Sequence, residues 1–209
     1  MQICEVVDML LDDPISAEVI RTLNPKFLAP KRPFLRLDYR DAITYLKEHD
    51  ITKEDGSVHV VGDDIAEAAE RKMTDQIGRP IMLIHFPKIL KGFYMKELAS
   101  VPELTESVDV LVPGVGEVVG GSMRISDLEE LMAGYKREGI PSEPYYWFTD
   151  QRKYGTTEHG GYGLVSATRP RLPSPGIEKT ADIRHSVLVV SLRRVSKWVI
   201  STHLLYLSC

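Results

Sequence analysis

The chain has 209 residues, enough for one domain of ordinary size with a real core. Its 43% hydrophobic and 27% charged residues describe a globular protein, and a formal net charge of −4 excludes the global basic field of many nucleic-acid binders, leaving only local patches for RNA. Its two cysteines, Cys4 and Cys209, sit at opposite ends and form neither a disulfide framework nor a metal spacing.

The cysteine usage favours a reducing, cytoplasmic compartment. The first residues, M-Q-I-C-E-V-V-D-M-L-L-D-D-P, carry acids where a signal peptide needs basic residues. No apolar run reaches membrane-spanning length, so no membrane partner is expected. Val6, Val7, Leu10 and Leu11 recur at helical spacing, and Ser16 is the expected cap of a second short helix through Leu23. A helix pair with no lead-in reads as the middle of a domain. Pro30-Lys31-Arg32-Pro33 predicts a turn or extended linker, Phe34 to Leu37 a short strand, and Asp41 to His49 a helix packing Ala42, Tyr45 and Leu46. Residues 51–62 are polar and glycine-punctuated, a loop or weak strand pair. Asp63-Asp64 is expected to open a helix to Gln76, with Gly78 as its stop. Pro80 to Phe86 predicts a buried strand in which His85 reads as a satisfied core histidine, and Gly92 to Leu98 predicts another strand.

The stretch Glu106 to Arg124 organises the rest. Val108, Val110 and Val112, then Val118 and Val119, flank Pro113-Gly114 and Gly116, which predicts a β-hairpin. Asp109, Glu117 and Arg124 interrupt the apolar pattern, and unpaired charges are costly to bury. They form either a salt-bridge network or a ligand site. Glu117 and Arg124 are seven residues apart, so strict alternation puts them on opposite faces. A bulge at Gly120-Gly121 would bring them together.

Ser126-Asp127-Leu128-Glu129 has the form of a capping box, opening a helix through Glu138 with Leu128, Leu131 and Met132 inward and Gly139 as its stop. Pro141 to Lys153 predicts an aromatic-rich helix, and Gly160, Gly161 and Gly163 a flexible loop able to approach a flat ligand. Beyond Leu164 the composition changes. Residues 1–164 hold 19 Lys+Arg and 28 Asp+Glu; residues 165–209 hold 7 and 2. Pro170, Pro173 and Pro175 forbid an immediate helix, while Val187 to Val190 and Trp198 to Leu207 are apolar and β-prone.

Several runs resemble class II asparaginyl-tRNA synthetases of the eukaryotic cytosolic type. They are P-K-R-P-F at 30–34, L-T-E-S-V-D-V-L at 104–111, G-E-V-V-G-G-S-M-R at 116–124, A-G-Y-K-R-E-G at 133–139, Y-W-F-T-D-Q-R-K-Y-G-T at 146–156 and H-G-G-Y-G-L at 159–164. The resemblance implies an α/β (α+β type) fold, part of the class II antiparallel sheet flanked by helices, over residues 1–164. Residues 165–209 would be a divergent, irregular tail. It implies ATP-dependent ligation of L-asparagine to tRNA(Asn) through an asparaginyl-adenylate, with ATP and Mg²⁺ required and a homodimer as the family's assembly. Glu117 matches the family's ATP- and magnesium-binding acid and Asp109 a second acid. Gly120 matches a position touching the amino acid and the metal shell, and Arg124 the reader of the substrate side chain. His159, Gly160 and Gly161 match the approach to the adenine pocket. A guanidinium donates to an amide oxygen or a carboxylate alike, so an aspartate–tRNA ligase stays an alternative, as does a non-catalytic synthetase-like binding module.

Two features depart from the family pattern. After H-G-G-Y-G-L the family continues with glycine, a variable residue, an acid and arginine; here Val165-Ser166-Ala167-Thr168-Arg169 follows. Val-Ser is what an intron start read in frame encodes, so a retained intron or a mis-predicted exon is the expected origin of the tail. The family's anticodon-binding domain, dimer-forming first motif and second-motif arginine would all lie before Met1.

Overall fold

The computed structural model describes residues 2–25, 27–165 and 187–192. Two helices come first, α1 (Gln2–Asp12) and α2 (Pro14–Leu23). Asp13, not Ser16, caps α2: its Oδ2 accepts from the Ser16 amide at 2.8 Å, and Pro14 occupies the first turn, where no amide donor is needed. Ser16 is one of the amides satisfied rather than the group that satisfies them. The Arg32–Pro33 peptide in the predicted turn is cis.

Strand β1 (Leu35–Asp38) runs directly into α3 (Tyr39–Glu48), with Asp38 as cap. Helix α4 (Glu67–Ile77) begins later than Asp63-Asp64 suggested. The reason lies in Asp63, which closes the preceding turn instead. Its Oδ2 accepts from the Val60 amide at 2.8 Å and pairs with Lys53 at 2.6 Å, and its carbonyl accepts from Tyr39 Oη. Gly78 ends α4 in the left-handed conformation, φ 70°, which glycine adopts without a Cβ penalty.

The remaining strands are β2 (Ile81–Ile84), β3 (Glu97–Leu98), β4 (Val101–Thr105), β5 (Ser107–Val112), β6 (Gly116–Met123), β7 (Gly160–Val165) and β8 (Val187–Leu192). Together with β1, five of them form one six-stranded sheet in the order β1-β2-β5-β6-β7-β8, with β3 and β4 forming a separate pair. Within the six, β1 and β2 are parallel and every other neighbour is antiparallel. The α+β expectation therefore holds. The strand expected over Gly92 to Leu98 shrinks to β3, because Phe93 turns its ring into a cluster with Tyr135, Tyr145 and Phe148. The flexible loop expected at Gly160, Gly161 and Gly163 is instead β7, paired along its length with β6. The β-prone residues 187–190 lie in β8, while Arg169, Arg171 and the run 198–207 lie outside the described residues.

Each face of the sheet is packed. On one, Ile81, Leu83 and Leu111 meet Tyr39, Ala42, Leu46, Ala69 and Met73 of α3 and α4. On the other, Val110 and Val119 meet Cys4 of α1 and Phe34. A third cluster joins α5 (Leu128–Glu138) and α6 (Tyr146–Lys153) through Leu131, Tyr135 and Phe148. Asp127 caps α5 by accepting from the Glu130 amide at 2.9 Å, one residue later than the capping box placed it. Met132, expected inward, is 41% exposed, because the buried face of α5 runs through Leu131, Gly134 and Tyr135.

Candidate active site

The hairpin β5–β6 supplies the acids. Val110 faces Val119 and Leu111 faces Glu117, so Val118 is an extra residue, a bulge. The bulge restores parity as expected, but it lies at Val118 rather than at Gly120-Gly121. Asp109 faces Gly120 and Ser107 faces Ser122, so these four share the face that carries Leu111. A Cβ on Gly120 would lie 2.6 Å from Glu117 Oε1 and 3.4 Å from Asp109 Oδ1. Only a glycine leaves that space to two carboxylates. Gly121 serves the opposite face, where a Cβ would lie 2.8 Å from Tyr162 Cβ and 2.9 Å from the Gly161 carbonyl oxygen.

Asp109 is 7% exposed and its Oδ2 accepts from Lys91 Nζ at 2.7 Å. Burial pushes its carboxyl up, against the pull of Lys91. Glu117 is exposed as a residue, yet partial desolvation first and the Asp109 charge second raise its carboxyl as well. A third acid, Glu70 of α4, is 8% exposed. Burial first, then Asp109 and Glu117, push it up to about 8. Sequence reasoning missed both Lys91 and Glu70. Glu70 sits at helical spacing with Ala69, Met73 and Thr74 on a buried face, which is the one pattern that could have singled it out.

Arg124 follows β6. Its amide donates to the His159 carbonyl at 2.9 Å, its Nη1 to Ser122 Oγ at 2.9 Å and its Nη2 to the Gly161 carbonyl at 3.3 Å. The guanidinium lies 4.6 Å from the Tyr94 ring centre. A Cβ on Gly161 would come within 3.0 Å of Nη2, so glycine there gives the arginine its room. No ion pair to Arg124 or Glu117 occurs among the described residues. A salt-bridge network thus accounts for Asp109 alone, and among the described residues the Glu117 carboxylate and the Arg124 guanidinium have no ion-pair partner. His159 is held by its own segment: Nδ1 is 2.9 Å from the Thr157 carbonyl, and Nε2 is 3.5 Å from Arg152 Nη2. Gly160 faces Met123 across the strands. His85 has its expected partner, with Nδ1 2.8 Å from Asp38 Oδ2.

Among the described residues no three His, Cys, Asp or Glu side chains converge as a metal cluster. Asp109 and Glu117 converge as a pair. Two carboxylates are a fitting donor set for magnesium, which keeps several waters and uses one or two carboxylates plus substrate phosphates.

Residues 3–166 match the family described as tRNA synthetases class II (D, K and N). The chain belongs to the class II tRNA synthetases of this group. Within it, the cytoplasmic asparagine–tRNA ligase of Saccharomyces cerevisiae is 62% identical over 162 residues, 78% of this chain and 29% of that protein. The human cytoplasmic asparagine–tRNA ligase is 60% identical over the same shares. The asparaginyl-tRNA synthetase of Entamoeba histolytica, solved in complex with asparaginyl-adenylate, superposes with a TM-score of 0.74 at 52% identity. That match covers 77% of this chain and 36% of the other. The chain thus spans under a third of the length of the curated relatives it matches. Among the described residues no helix is long and apolar enough to cross a membrane.

Proposed function

We propose that this chain carries the floor of an asparaginyl-adenylate site, within a cytoplasmic protein that ligates L-asparagine to tRNA(Asn) at the expense of ATP. The observation that carries the reading is the shared face of β5 and β6. It presents a guanidinium, Arg124, that is hydrogen-bonded but not ion-paired, and two carboxylates gathered over Gly120. Residues 1–164 are the proposed part of the catalytic domain and residues 165–209 the divergent tail. In the reaction the asparagine carboxylate attacks the α-phosphorus of ATP, pyrophosphate leaves, and a ribose hydroxyl of the tRNA end then displaces AMP. Glu117 and Asp109 would hold Mg²⁺, which when bound offsets phosphate charge. Arg124, fixed by Ser122 Oγ and the Gly161 carbonyl, donates to the side-chain amide oxygen of asparagine. Gly120 leaves room beside the acids for the amino acid. His159, Gly160 and Gly161 border the adenine side through β7.

A chimera tests this: the S. cerevisiae ligase with its matching segment replaced by residues 3–164. It should support asparagine-dependent ATP–pyrophosphate exchange, and Arg124→Ala in it should raise the barrier for asparagine by about 2–4 kcal/mol, the range of a lost charged hydrogen bond. Exchange driven by aspartate, or an Arg124→Ala chimera with unchanged asparagine kinetics, would refute the reading.

A further inference from the structure

The two acids of the floor are not equivalent. Asp109 Oδ2 is taken by Lys91 Nζ at 2.7 Å, with side chains 10% and 19% exposed respectively. The same ammonium lies 3.7 Å above the Phe86 ring centre, a second hold on its position. Among the described residues the Glu117 carboxylate makes no hydrogen bond or ion pair, and its Oε1 points over Gly120 beside Asp109 Oδ1. Lys91 lowers the cost of both carboxylates from this one place. An ammonium and a divalent cation would thus compete for one buried carboxylate, and like charges repel strongly where water is scarce.

Resting on the function proposed above, we propose that Lys91 is the resident counter-ion of the carboxylate floor. It holds Asp109 in the metal-free protein and must be displaced before a divalent cation can use both acids. Lys91 is then a positioning residue that sets metal affinity. It keeps two acids side by side without metal and weakens metal binding in the absence of phosphates. With ATP bound, its phosphates would supply further ligands to the cation and tip the exchange away from Lys91.

Mn²⁺ binding to the 209-residue chain, read by the loss of its free paramagnetic signal, tests this. Lys91→Met should bind Mn²⁺ about tenfold more tightly, the effect of removing one neighbouring like charge. Lys91→Arg should not tighten it, and adding Asp109→Asn to Lys91→Met should abolish the gain. Equal Mn²⁺ affinity in the parent and a folded Lys91→Met overturns the proposal. A measurement on the parent alone covers a variant that fails to fold. Acylation of Lys91, followed by mass spectrometry, should rise several-fold at saturating Mg²⁺ as the ammonium is released. Unchanged labelling overturns the proposal as well. Failure of asparagine-dependent exchange in the chimera bears on the proposed reaction and leaves these readouts untouched.

Discussion

Glu70 binds a proton in the folded protein at a pH where a free glutamate has lost it. Its carboxyl rises from an ordinary 4.5 to about 8, through burial first and then the charges of Asp109 and Glu117. The folded state therefore holds more protons than the unfolded state between those two values. Stability from this group is fully present below pH 4.5 and is lost as pH rises through 8. Glu70→Gln should remove that loss, raising stability at pH 7 by on the order of 3 kcal/mol and flattening the decline toward pH 8. Urea denaturation at pH 5, 7 and 8 measures it. A variant with the same pH slope as the parent would show that Glu70 is not the titrating group.

The paired glycines of β6 divide two roles that the sequence left joined. Gly120→Ala places a Cβ 2.6 Å from Glu117 Oε1, the far end of a flexible side chain, so the carboxylate swings away and the fold survives. Gly121→Ala places one 2.9 Å from the Gly161 carbonyl oxygen, which is backbone, so β6 and β7 must part. Gly120→Ala should keep the melting temperature within about 2 °C and weaken Mn²⁺ binding, whereas Gly121→Ala should cost about 1–3 kcal/mol of stability. The reverse pattern would mean that the glycines have been assigned to the wrong faces. Much of this hairpin was legible in the sequence, since valines alternating around Pro113-Gly114 dictate paired strands and the odd spacing of Glu117 and Arg124 demands a bulge. The bulge's place was not legible, because it is chosen by the facing strand, where Val110 and Leu111 must bury on opposite faces. Nor was β7, whose glycines read as a loop until the Arg124 guanidinium is seen to need the space above Gly161. Lys91 gave no local signal and Glu70 only its helical spacing with Met73 and Thr74, since their meaning lies in partners distant along the chain.

At the scale of the molecule, the 209 residues supply one wall of the proposed site. A polypeptide of this sequence alone should show no asparagine-dependent ATP–pyrophosphate exchange, since it spans 29% of the yeast relative and lost transition-state contacts cost about 10²–10³ each in rate. Measurable exchange from purified monomer would overturn this. The helix pair α1–α2 points the same way, with Met9 71%, Ile15 75% and Leu23 69% exposed, an apolar face that favours self-association of the isolated chain. The strand order also bears on how the wall is built in time. Asp109, Glu117 and Gly120 belong to one hairpin closed by the turn at 113–115, a local event on the scale of microseconds. The cradle of Arg124 needs β7, which returns to β6 only after α5 and α6 have been laid down, so its loop-closure entropy is larger. Pulse-labelled amide exchange during refolding should protect Val110 and Val119 before Tyr162 and Leu164, and simultaneous protection would contradict that order. On that order the two acids would take their places while the arginine beside them is still unframed, and the folding chain would pass through a stage that carries the acidic half of the wall alone.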